Sequence, residues 1–168
     1  MVYQMLQQVS NSLSNLIVIL DKAQSFCESK KIDVTVLLNY RLAPDQFPFV
    51  KQIQICSDTA KFIAARLSET DAPQFEDKEE SIVELKARIA KTLDYLKGFQ
   101  EHSFKNFETV KTMNPRMPGK YLLGVDYFYK QGIPNFYFHM TTAYSILRHM
   151  GVPLGKMDFL GQLPFQDL

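Results

Sequence analysis

Apolar residues recur every three or four positions in four separate segments of this chain, a spacing that places them on one face of a helix. The first segment repeats almost without a break, at Met5, Val9, Leu13, Leu16, Leu20, Ala23 and Cys27. The second begins near Pro48, a residue favoured in a first helical turn, and repeats at Phe49, Ile53, Cys56, Ala60, Ile63 and Leu67. Both patterns predict long amphipathic helices.

Two further segments carry the same period together with helix start and stop signals. The third begins at Ser81, an N-cap residue with Glu84 three positions later as a capping box, and repeats at Ile82, Leu85, Ile89, Leu96 and Phe99. The fourth has Pro134 in its first turn and Gly151 and Pro153 at its end, and repeats at Ile133, Phe136, Met140, Ala143, Leu147 and Met150. Four long helices with one period predict an all-α fold, an antiparallel four-helix bundle with crossing angles of about 20°.

The connections between these helices differ in length and composition. Residues 31–47 are too many for a simple helical hairpin, so the first two helices are joined either by a long crossover or by an ordered loop that packs on the bundle through Leu37, Leu38, Tyr40 and Leu42. The acidic residues 70–80 are expected to be solvated. Between the third and fourth helices, β-prone runs at Thr109–Met113 and Tyr121–Leu123 flank a turn at Asn114–Gly119 and predict a small β-hairpin.

Length and charge limit the classes of function. The 168 residues suit a single domain over 1–168, with a core that needs neither disulfides nor metal. The net charge is +1 and the basic residues are scattered, so no nucleic-acid partner is expected. The chain has no basic segment before its short apolar run at Leu16–Leu20 and no run of the roughly 20 apolar residues that a spanning helix needs. We therefore expect a cytoplasmic protein with no membrane association. Cys27 and Cys56 fall on the apolar stripes, which is typical of buried thiols.

Two of the three histidines lie in the fourth helix, where a metal site would need ligands three or four residues apart. His139 has Asn135 four residues before it and Ala143 four residues after it, so no second strong ligand shares its face. It is therefore either a hydrogen-bonded histidine at the bundle edge or a ligand or acid/base group. His149 falls in the last helical turn, where a cationic ring suits the free carbonyls, and His102 is expected to be exposed.

Asp58 and a group of aromatic residues are further candidates for a site. Asp58 is either a partly buried carboxylate or part of a solvated face with Lys51 and Lys61. The aromatic side chains near His139 either line a pocket for a small molecule or belong to the core: Phe136, Tyr137, Phe138 and Tyr144. The sequence contains no nucleophile elbow, P-loop, dinucleotide-binding fingerprint or HExxH motif.

Two apolar side chains of the second helix, Ile55 and Phe62, lie off its apolar face. In a monomeric bundle they would be exposed to solvent unless the loop before Pro48 covers them. The tail after Gly151 is rich in Leu and Phe and is expected to dock on its own bundle or on a partner. Together these features favour a homodimer.

Several motifs spread over nearly the whole chain carry a likeness to a known family: YRLAPDQFP at 40–48, DTAK at 58–61, PNFYFH at 134–139, AYSILRH at 143–149, and GVPLGK with DFLG at 151–161. Together they resemble a bacterial and fungal family of unknown function in the DinB/YfiT-like superfamily of proposed metalloenzymes. The resemblance implies a four-helix bundle, often dimeric, with a divalent metal on three histidines. One of these comes from the second helix and two, four residues apart, come from the last helix. Some members of the superfamily are thiol-dependent S-transferases or hydrolases.

This chain keeps only part of the ligand set that the resemblance implies. His139 matches one ligand position, Asn135 stands where its partner would be, and Gln52 or Gln54 is near the second-helix position. Amide side chains are poor ligands for zinc or nickel, which prefer imidazole or thiolate.

Three hypotheses about function follow. The first is a DinB-like bundle with a degenerate metal site, which uses no cofactor and binds a small molecule or a partner around His139 and Tyr144. The second is a divergent metal-dependent transferase or hydrolase in which His139 binds zinc or nickel. The third is a structural protein that acts through dimerisation. The sequence itself assigns no enzymatic activity.

Overall fold

The computed structural model describes residues 1–113 and 117–167, and four long helices account for most of them. In chain order the elements are α1 (Val2–Lys30), α2 (Val34–Leu38), α3 (Phe49–Leu67), α4 (Ile82–Leu96), a 3₁₀ turn (Glu101–Phe104), β1 (Lys111–Met113), β2 (Tyr121–Leu123), α5 (Gly124–Asp126), a π-helical turn (Tyr127–Gly132), α6 (Ile133–His149) and α7 (Lys156–Leu160). The helical bundle that the apolar spacing predicts is confirmed, with α1, α3, α4 and α6 as its long helices.

The helix ends carry the signals that the sequence predicts. At the start of α4, the Ser81 hydroxyl accepts a hydrogen bond from the backbone N–H of Glu84 (3.2 Å), and the Glu84 carboxylate accepts one from the backbone N–H of Glu80 (2.7 Å). After α6, Gly151 has a φ of 90°, a conformation that a glycine adopts without steric cost. Local sequence therefore determines where α4 begins and where α6 ends.

The apolar stripes of the four long helices meet in one core. Their central side chains have no exposed surface: Leu13, Leu16 and Leu20 of α1, Phe49, Ile53 and Ile63 of α3, Ile89 of α4, and Phe136, Met140 and Leu147 of α6. Each such side chain contributes about 1.5–3 kcal/mol when it leaves water, so the stripes hold the bundle together. Both cysteines, Cys27 and Cys56, are free and buried, as predicted.

Residue pairs across the interfaces give the direction of the helices that form the site. Gln52 contacts His139 and Thr59 contacts Asn135, so α3 and α6 run antiparallel. These pairs also set the register: each step forward along α3 is matched by a step backward along α6. Positions far apart in sequence therefore reach the same height in the bundle.

The connection between α3 and α4, residues 68–81, runs back along the bundle. Asp71 near its start accepts a hydrogen bond from the Tyr95 hydroxyl at the end of α4, and Asp77 near its end pairs with Lys51 at the start of α3. An extended chain rises about 3.3 Å per residue against 1.5 Å in a helix, so this segment easily spans the length of α3. As a result α4 starts at the same end as α3 and runs parallel to it, which the apolar period alone does not encode.

The connection between α1 and α3 is the ordered-loop alternative rather than the crossover. Leu37 and Leu38 of α2 are buried, and the backbone carbonyl of Tyr40 accepts a hydrogen bond from the N–H of Phe49 (2.9 Å). The ring of Tyr40 stacks on His149 at the end of α6, with centroids 5.5 Å apart. The loop therefore closes one end of the bundle.

The predicted hairpin is confirmed as a two-stranded antiparallel sheet, with Lys111 opposite Leu123 and Met113 opposite Tyr121. Part of its predicted turn, Asn114–Arg116, lies outside the described residues. The chain then returns to the bundle at α5.

The C-terminal segment docks on its own bundle as far as α7. The Asn15 side chain of α1 donates a hydrogen bond to the Phe159 carbonyl (3.2 Å), and Lys22 pairs with Asp158 (2.6 Å). Beyond α7 the side chain of Phe165 is 86% exposed. The tail therefore packs on its own bundle through α7, as expected, whereas residues 162–167 are exposed.

Candidate functional site

A cavity of about 450 Å³ lies along the interface of α3 with α6, the most extensive helix contact in the bundle. We call it the α3–α6 cavity; its wall includes Ile55, Asp58, Thr59, Phe62 and Arg66 from α3, and Tyr127, Gln131, Asn135 and His139 from the opposite helical segment. Its volume falls within the range of about 300–1,000 Å³ typical of small-molecule sites. Gly132 allows the close approach of the two helices, because a Cβ there would lie 2.9 Å from Cγ1 of Ile63.

His139 is held in one orientation by a chain of two hydrogen bonds. Its Nδ1 lies 2.7 Å from Oε1 of Gln52, and Nε2 of Gln52 donates to the carbonyl of Phe47 (2.8 Å). A carbonyl only accepts hydrogen bonds, so the amide nitrogen of Gln52 must face Phe47 and its oxygen must face the ring. Nδ1 of His139 therefore carries the proton, and Nε2 is left with a lone pair.

Burial keeps this histidine neutral. The His139 side chain belongs to a residue that is only 7% exposed, and burial lowers its pKa from 6.5 to about 4. The charged form of an imidazole loses its hydration in such a place, which is the physical cause of the shift. At neutral pH the ring is consequently a hydrogen-bond acceptor at Nε2 and carries no charge.

Asn135 faces the same helix one turn earlier. Its Nδ2 donates a hydrogen bond to the hydroxyl of Thr59 (2.8 Å), and its side chain also lines the α3–α6 cavity. Asn135 and His139, four residues apart on α6, thus contact a hydroxyl and an amide of α3, respectively. The hydrogen-bond partners of His139 and Asn135 on α3 are therefore neutral side chains.

Six charged residues form a compact group beside the cavity. The guanidinium of Arg88 pairs with three carboxylates, at 2.8 Å from Asp58, 3.0 Å from Asp77 and 2.9 Å from Glu79. Lys61 also pairs with Asp58 (2.8 Å), and Lys51 pairs with Asp77. We call these six residues the Arg88 cluster. It contains three cations and three carboxylates, so its charges balance.

The cluster revises two expectations about this part of the chain. Asp58 is the partly buried carboxylate of the two alternatives, with 26% of its side chain exposed, while the side chain of Lys61 is 3% exposed. The acidic residues 70–80 are not simply solvated, because Glu79 is only 11% exposed and contacts both Arg88 and Gln54. Arg88, nine or more residues away in sequence, attracts this segment to the bundle.

Arg66 is the remaining charged residue of the cavity wall. Its guanidinium carbon lies 4.9 Å from the ring centroid of Phe62 and 5.2 Å from that of Tyr127. In the described part of the chain, no carboxylate forms an ion pair with it. Burial raises the pKa of the Tyr127 phenol, so this neighbour is neutral and does not balance the charge.

Comparison with known proteins assigns the chain to a family. Residues 2–160 match the domain of unknown function DUF1993. The chain belongs to this family. A crystal structure of a DinB family member from Shewanella denitrificans, at 1.83 Å resolution, is 49% identical and superposes on the chain with a TM-score of 0.93. The match covers 97% of this chain and 93% of the Shewanella chain. No curated protein shows a significant match.

These matches confirm the resemblance read from the sequence motifs and identify the DUF1993 chain as a DinB-like protein of unknown function. They agree with the helical bundle described above. No helix in the described part of the DUF1993 chain combines the length and the apolar character needed to cross a membrane.

The site of this DUF1993 protein does not fit the divalent metal that the superfamily implies. Around His139 the available side chains are Gln52, Asn135 and Thr59, which offer amide and hydroxyl groups in place of imidazoles. Among the described residues there is no group of three or more His, Cys, Asp or Glu that could hold a metal ion. Asp58, the carboxylate that lines the cavity, is already paired with two cations. Zinc and nickel favour imidazole and thiolate, so this donor set is a poor one.

Of the aromatic candidates of the DUF1993 chain, Phe138 packs edge-on against the ring of His139, with centroids 5.1 Å apart, but none of the four lines the α3–α6 cavity. Phe136 has no exposed surface and belongs to the core, and Tyr144 packs edge-on against Phe159 of α7. Tyr137 lines a separate apolar cavity of about 470 Å³ together with Phe138. Of the residues proposed for the site, His139, Asn135 and Asp58 line the α3–α6 cavity.

Sequence reasoning missed Arg66 and Tyr127, which form the far end of the cavity. In the observed register Gln52 faces His139, so Arg66, 14 residues later, is level with a residue some 12 positions before His139. That residue is Tyr127. If the contact between Gln52 and His139 is known, the antiparallel register predicts that Arg66 and Tyr127 are neighbours.

A larger cavity of about 750 Å³ lies between α1 and α4 and includes Tyr3, Leu6, Ser10 and Phe99. Its charged lining residue is Lys97, and among the described residues that line it there is no histidine, cysteine or carboxylate. A titratable group with a shifted pKa in a cleft, such as His139, marks a candidate functional site. The α3–α6 cavity is therefore the stronger candidate in the DUF1993 fold.

Proposed function

We propose that this DUF1993 protein binds a small molecule in the α3–α6 cavity, and that His139 recognises it without a metal. The observation that carries the proposal is the chain from His139 through Gln52 to the Phe47 carbonyl. This chain fixes one tautomer and presents the lone pair of Nε2 from a residue in the cavity wall. A ligand N–H or O–H group is the natural partner for it.

The chemistry of the wall supports this role. A hydrogen bond from a ligand to this neutral acceptor contributes about 0.5–1.5 kcal/mol. Asn135 and Gln131 add further neutral polar groups to the same wall. A few polar groups that converge on one cavity beside apolar side chains are typical of small-molecule sites.

The test uses a substitution that separates the two ring nitrogens. In His139→Asn the amide N–H takes the place of Nδ1–H and still donates to Gln52, while the acceptor at Nε2 is lost. The matched control is His102→Asn, the same change at an exposed histidine. The probe is phenylacetamide, which has an apolar ring and a neutral N–H donor.

In an NMR titration we expect phenylacetamide to shift the backbone amides of Thr59, Asn135 and His139 saturably in the wild type and in His102→Asn. In His139→Asn we expect affinity to fall roughly tenfold, because one hydrogen bond between ligand and protein is lost. The ¹⁵N shifts of the His139 ring should show a proton on Nδ1 and none on Nε2. A proton on Nε2, unchanged affinity in His139→Asn, or no binding at this cavity would each refute the proposal.

The competing proposal, a divergent metal-dependent transferase or hydrolase, makes a different prediction. Protein purified without chelator and then incubated with zinc or nickel should bind one equivalent of metal, and His139→Asn should lose it. We expect no stoichiometric binding, because the amides of Gln52 and Asn135 replace two imidazoles. Stoichiometric metal that depends on His139 would refute the metal-free role of this residue and favour the metal-dependent alternative.

Homodimerisation stays a prediction, and the structure supplies one more surface for it. Phe138 is 58% exposed and Leu42 is 43% exposed, and both line the apolar cavity that contains Tyr137. Ile55 and Phe62, by contrast, are partly buried in the wall of the α3–α6 cavity. Light scattering at micromolar concentration decides between monomer and dimer, and Phe138→Ser should shift the mass to that of a monomer if this surface is the interface.

A further inference from the structure

The charge of the α3–α6 cavity is not balanced by its own wall. Three charged side chains line it: Lys51, Asp58 and Arg66. Lys51 and Asp58 belong to the Arg88 cluster, in which three cations face three carboxylates. Arg66 stands outside that cluster, and no carboxylate pairs with it in the part of the chain that the structure describes. One positive charge is therefore left over in the cavity.

The two aromatic rings hold this charge at a defined place. The Arg66 guanidinium lies within about 5 Å of the Phe62 and Tyr127 centroids, distances at which a cation is attracted to a ring face. Tyr127 is itself only 3% exposed, so one of the two rings belongs to the rigid core. A guanidinium held in this way presents its N–H groups as a planar fork that matches a carboxylate or a phosphate.

The stretch of wall between Arg66 and His139 is partly apolar. Along α3 the residues that face the cavity follow helical spacing, and Ile55 and Phe62 stand between the Gln52 end and Arg66. These are the two side chains that lie off the apolar seam of α3. In the cavity they offer a surface for a hydrocarbon or aryl group.

We propose that the ligand of the α3–α6 cavity carries an oxyanion, a carboxylate or a phosphate, that pairs with Arg66, and an apolar part that packs on Phe62 and Ile55. This inference rests on the proposed function for the location of the site. It adds the chemical class of the ligand, which His139 alone does not define.

The experiment compares three probes that share a phenyl ring: phenylacetate, phenyl phosphate and the neutral phenylacetamide. Binding is followed by NMR titration of the full chain, with the Nε–Hε signal of Arg66 as a local reporter. We expect at least one anion to bind roughly ten- to a hundredfold more tightly than the amide, because its contact with Arg66 is a charge-assisted pair. The tighter of the two anions distinguishes a carboxylate from a phosphate site.

Arginine variants assign the effect. In Arg66→Gln the anions should bind no more tightly than phenylacetamide, and Arg41→Gln, the same change at an exposed arginine, should leave all affinities unchanged. Arg66→Lys keeps the charge but loses the fork, so it should give intermediate affinity, and it provides the result if Arg66→Gln does not fold. Anions that bind no better than the amide, or that are unaffected at Arg66, overturn the inference.

The outcomes also separate this inference from the proposed function. Binding of phenylacetamide that depends on His139, without any preference for anions, supports the proposed function and refutes the role of Arg66. Anion binding that depends on Arg66 but not on His139 supports the oxyanion site and refutes the role of the histidine. Absence of binding by all three probes refutes both.

Discussion

Lowering the pH from 7.5 to 5 should destabilise this protein chiefly through His139. Burial lowers the pKa of this ring from 6.5 to about 4, so between these values the unfolded chain takes up a proton that the folded protein refuses. Stability rises with pH wherever the unfolded state binds more protons. The contribution of neutral His139 is therefore complete above pH 6.5 and is lost progressively as the pH falls toward 4.

The size of the effect follows from the two pKa values. The difference between 6.5 and about 4 corresponds to roughly 3 kcal/mol when the loss is complete. At pH 5 the loss relative to pH 7.5 is about 2 kcal/mol, because the unfolded histidine is then largely protonated and the folded one is not. Carboxylates interfere less, since the ordinary pKa values of Asp and Glu lie near 4, below this pH window. The pKa of Asp77, for example, is lowered by Lys51 and Arg88 even though burial opposes the shift.

Urea unfolding at several pH values between 5 and 7.5 measures this loss directly. The His139→Asn variant retains a donor to Gln52 but cannot titrate, so its free energy of unfolding should vary with pH by about 2 kcal/mol less than that of the wild type. His102→Asn should follow the wild type. Equal pH dependence in His139→Asn and the wild type, or an NMR titration of the His139 ring near pH 6.5, would show that burial does not govern this residue.

Two other substitutions test the packing around the site. Arg88→Met removes the cation that three carboxylates share, so urea unfolding should show a free energy of unfolding lower by roughly 3 kcal/mol. The control Lys97→Met breaks an exposed pair with Asp94 and should show no measurable change. An Arg88→Met protein as stable as the wild type would mean that water, not Arg88, solvates these carboxylates. Gly124→Ala places a Cβ against the carbonyl oxygen of Phe107, so the backbone must move and a loss of about 2 kcal/mol or more is expected in thermal unfolding. The control is Gly98→Ala, where the nearest atom, the carbonyl oxygen of Tyr95, is 3.4 Å from the new Cβ, and similar melting temperatures for the two variants would contradict the close approach at Gly124.

The helices could be predicted from sequence because their signals are local. The apolar period of α1 and α3, the Ser81 cap of α4 and the Gly151 stop after α6 each depend on residues within a few positions of one another. The hairpin also follows from local β-propensity around a turn. These features need no knowledge of the other helices.

The site could be predicted only in part, because its geometry depends on contacts between distant segments. His139 and Asn135 were recognisable from their place on α6, but their partners Gln52 and Thr59 are 87 and 76 residues away. Of the aromatic residues near His139 in sequence, Phe138 packs on its ring, but none of the four candidates lines the α3–α6 cavity. Arg88 shows the same limit, since nothing near it in the pattern of α4 indicates that residues 76–79 return to meet it.

The π-helical turn at Tyr127–Gly132 has a consequence for how this site can change over time. A π turn holds one residue more than an α turn, and each residue of an α-helix rotates the chain by about 100°. Loss of a single residue here would leave a continuous helix but turn Tyr127 away from Arg66, while His139 and Asn135 on the other side of the turn kept their partners. The two ends of the cavity thus sit on separately adjustable lengths of one helix. Among related proteins, one end can be altered by insertion or deletion at this turn without rebuilding the other.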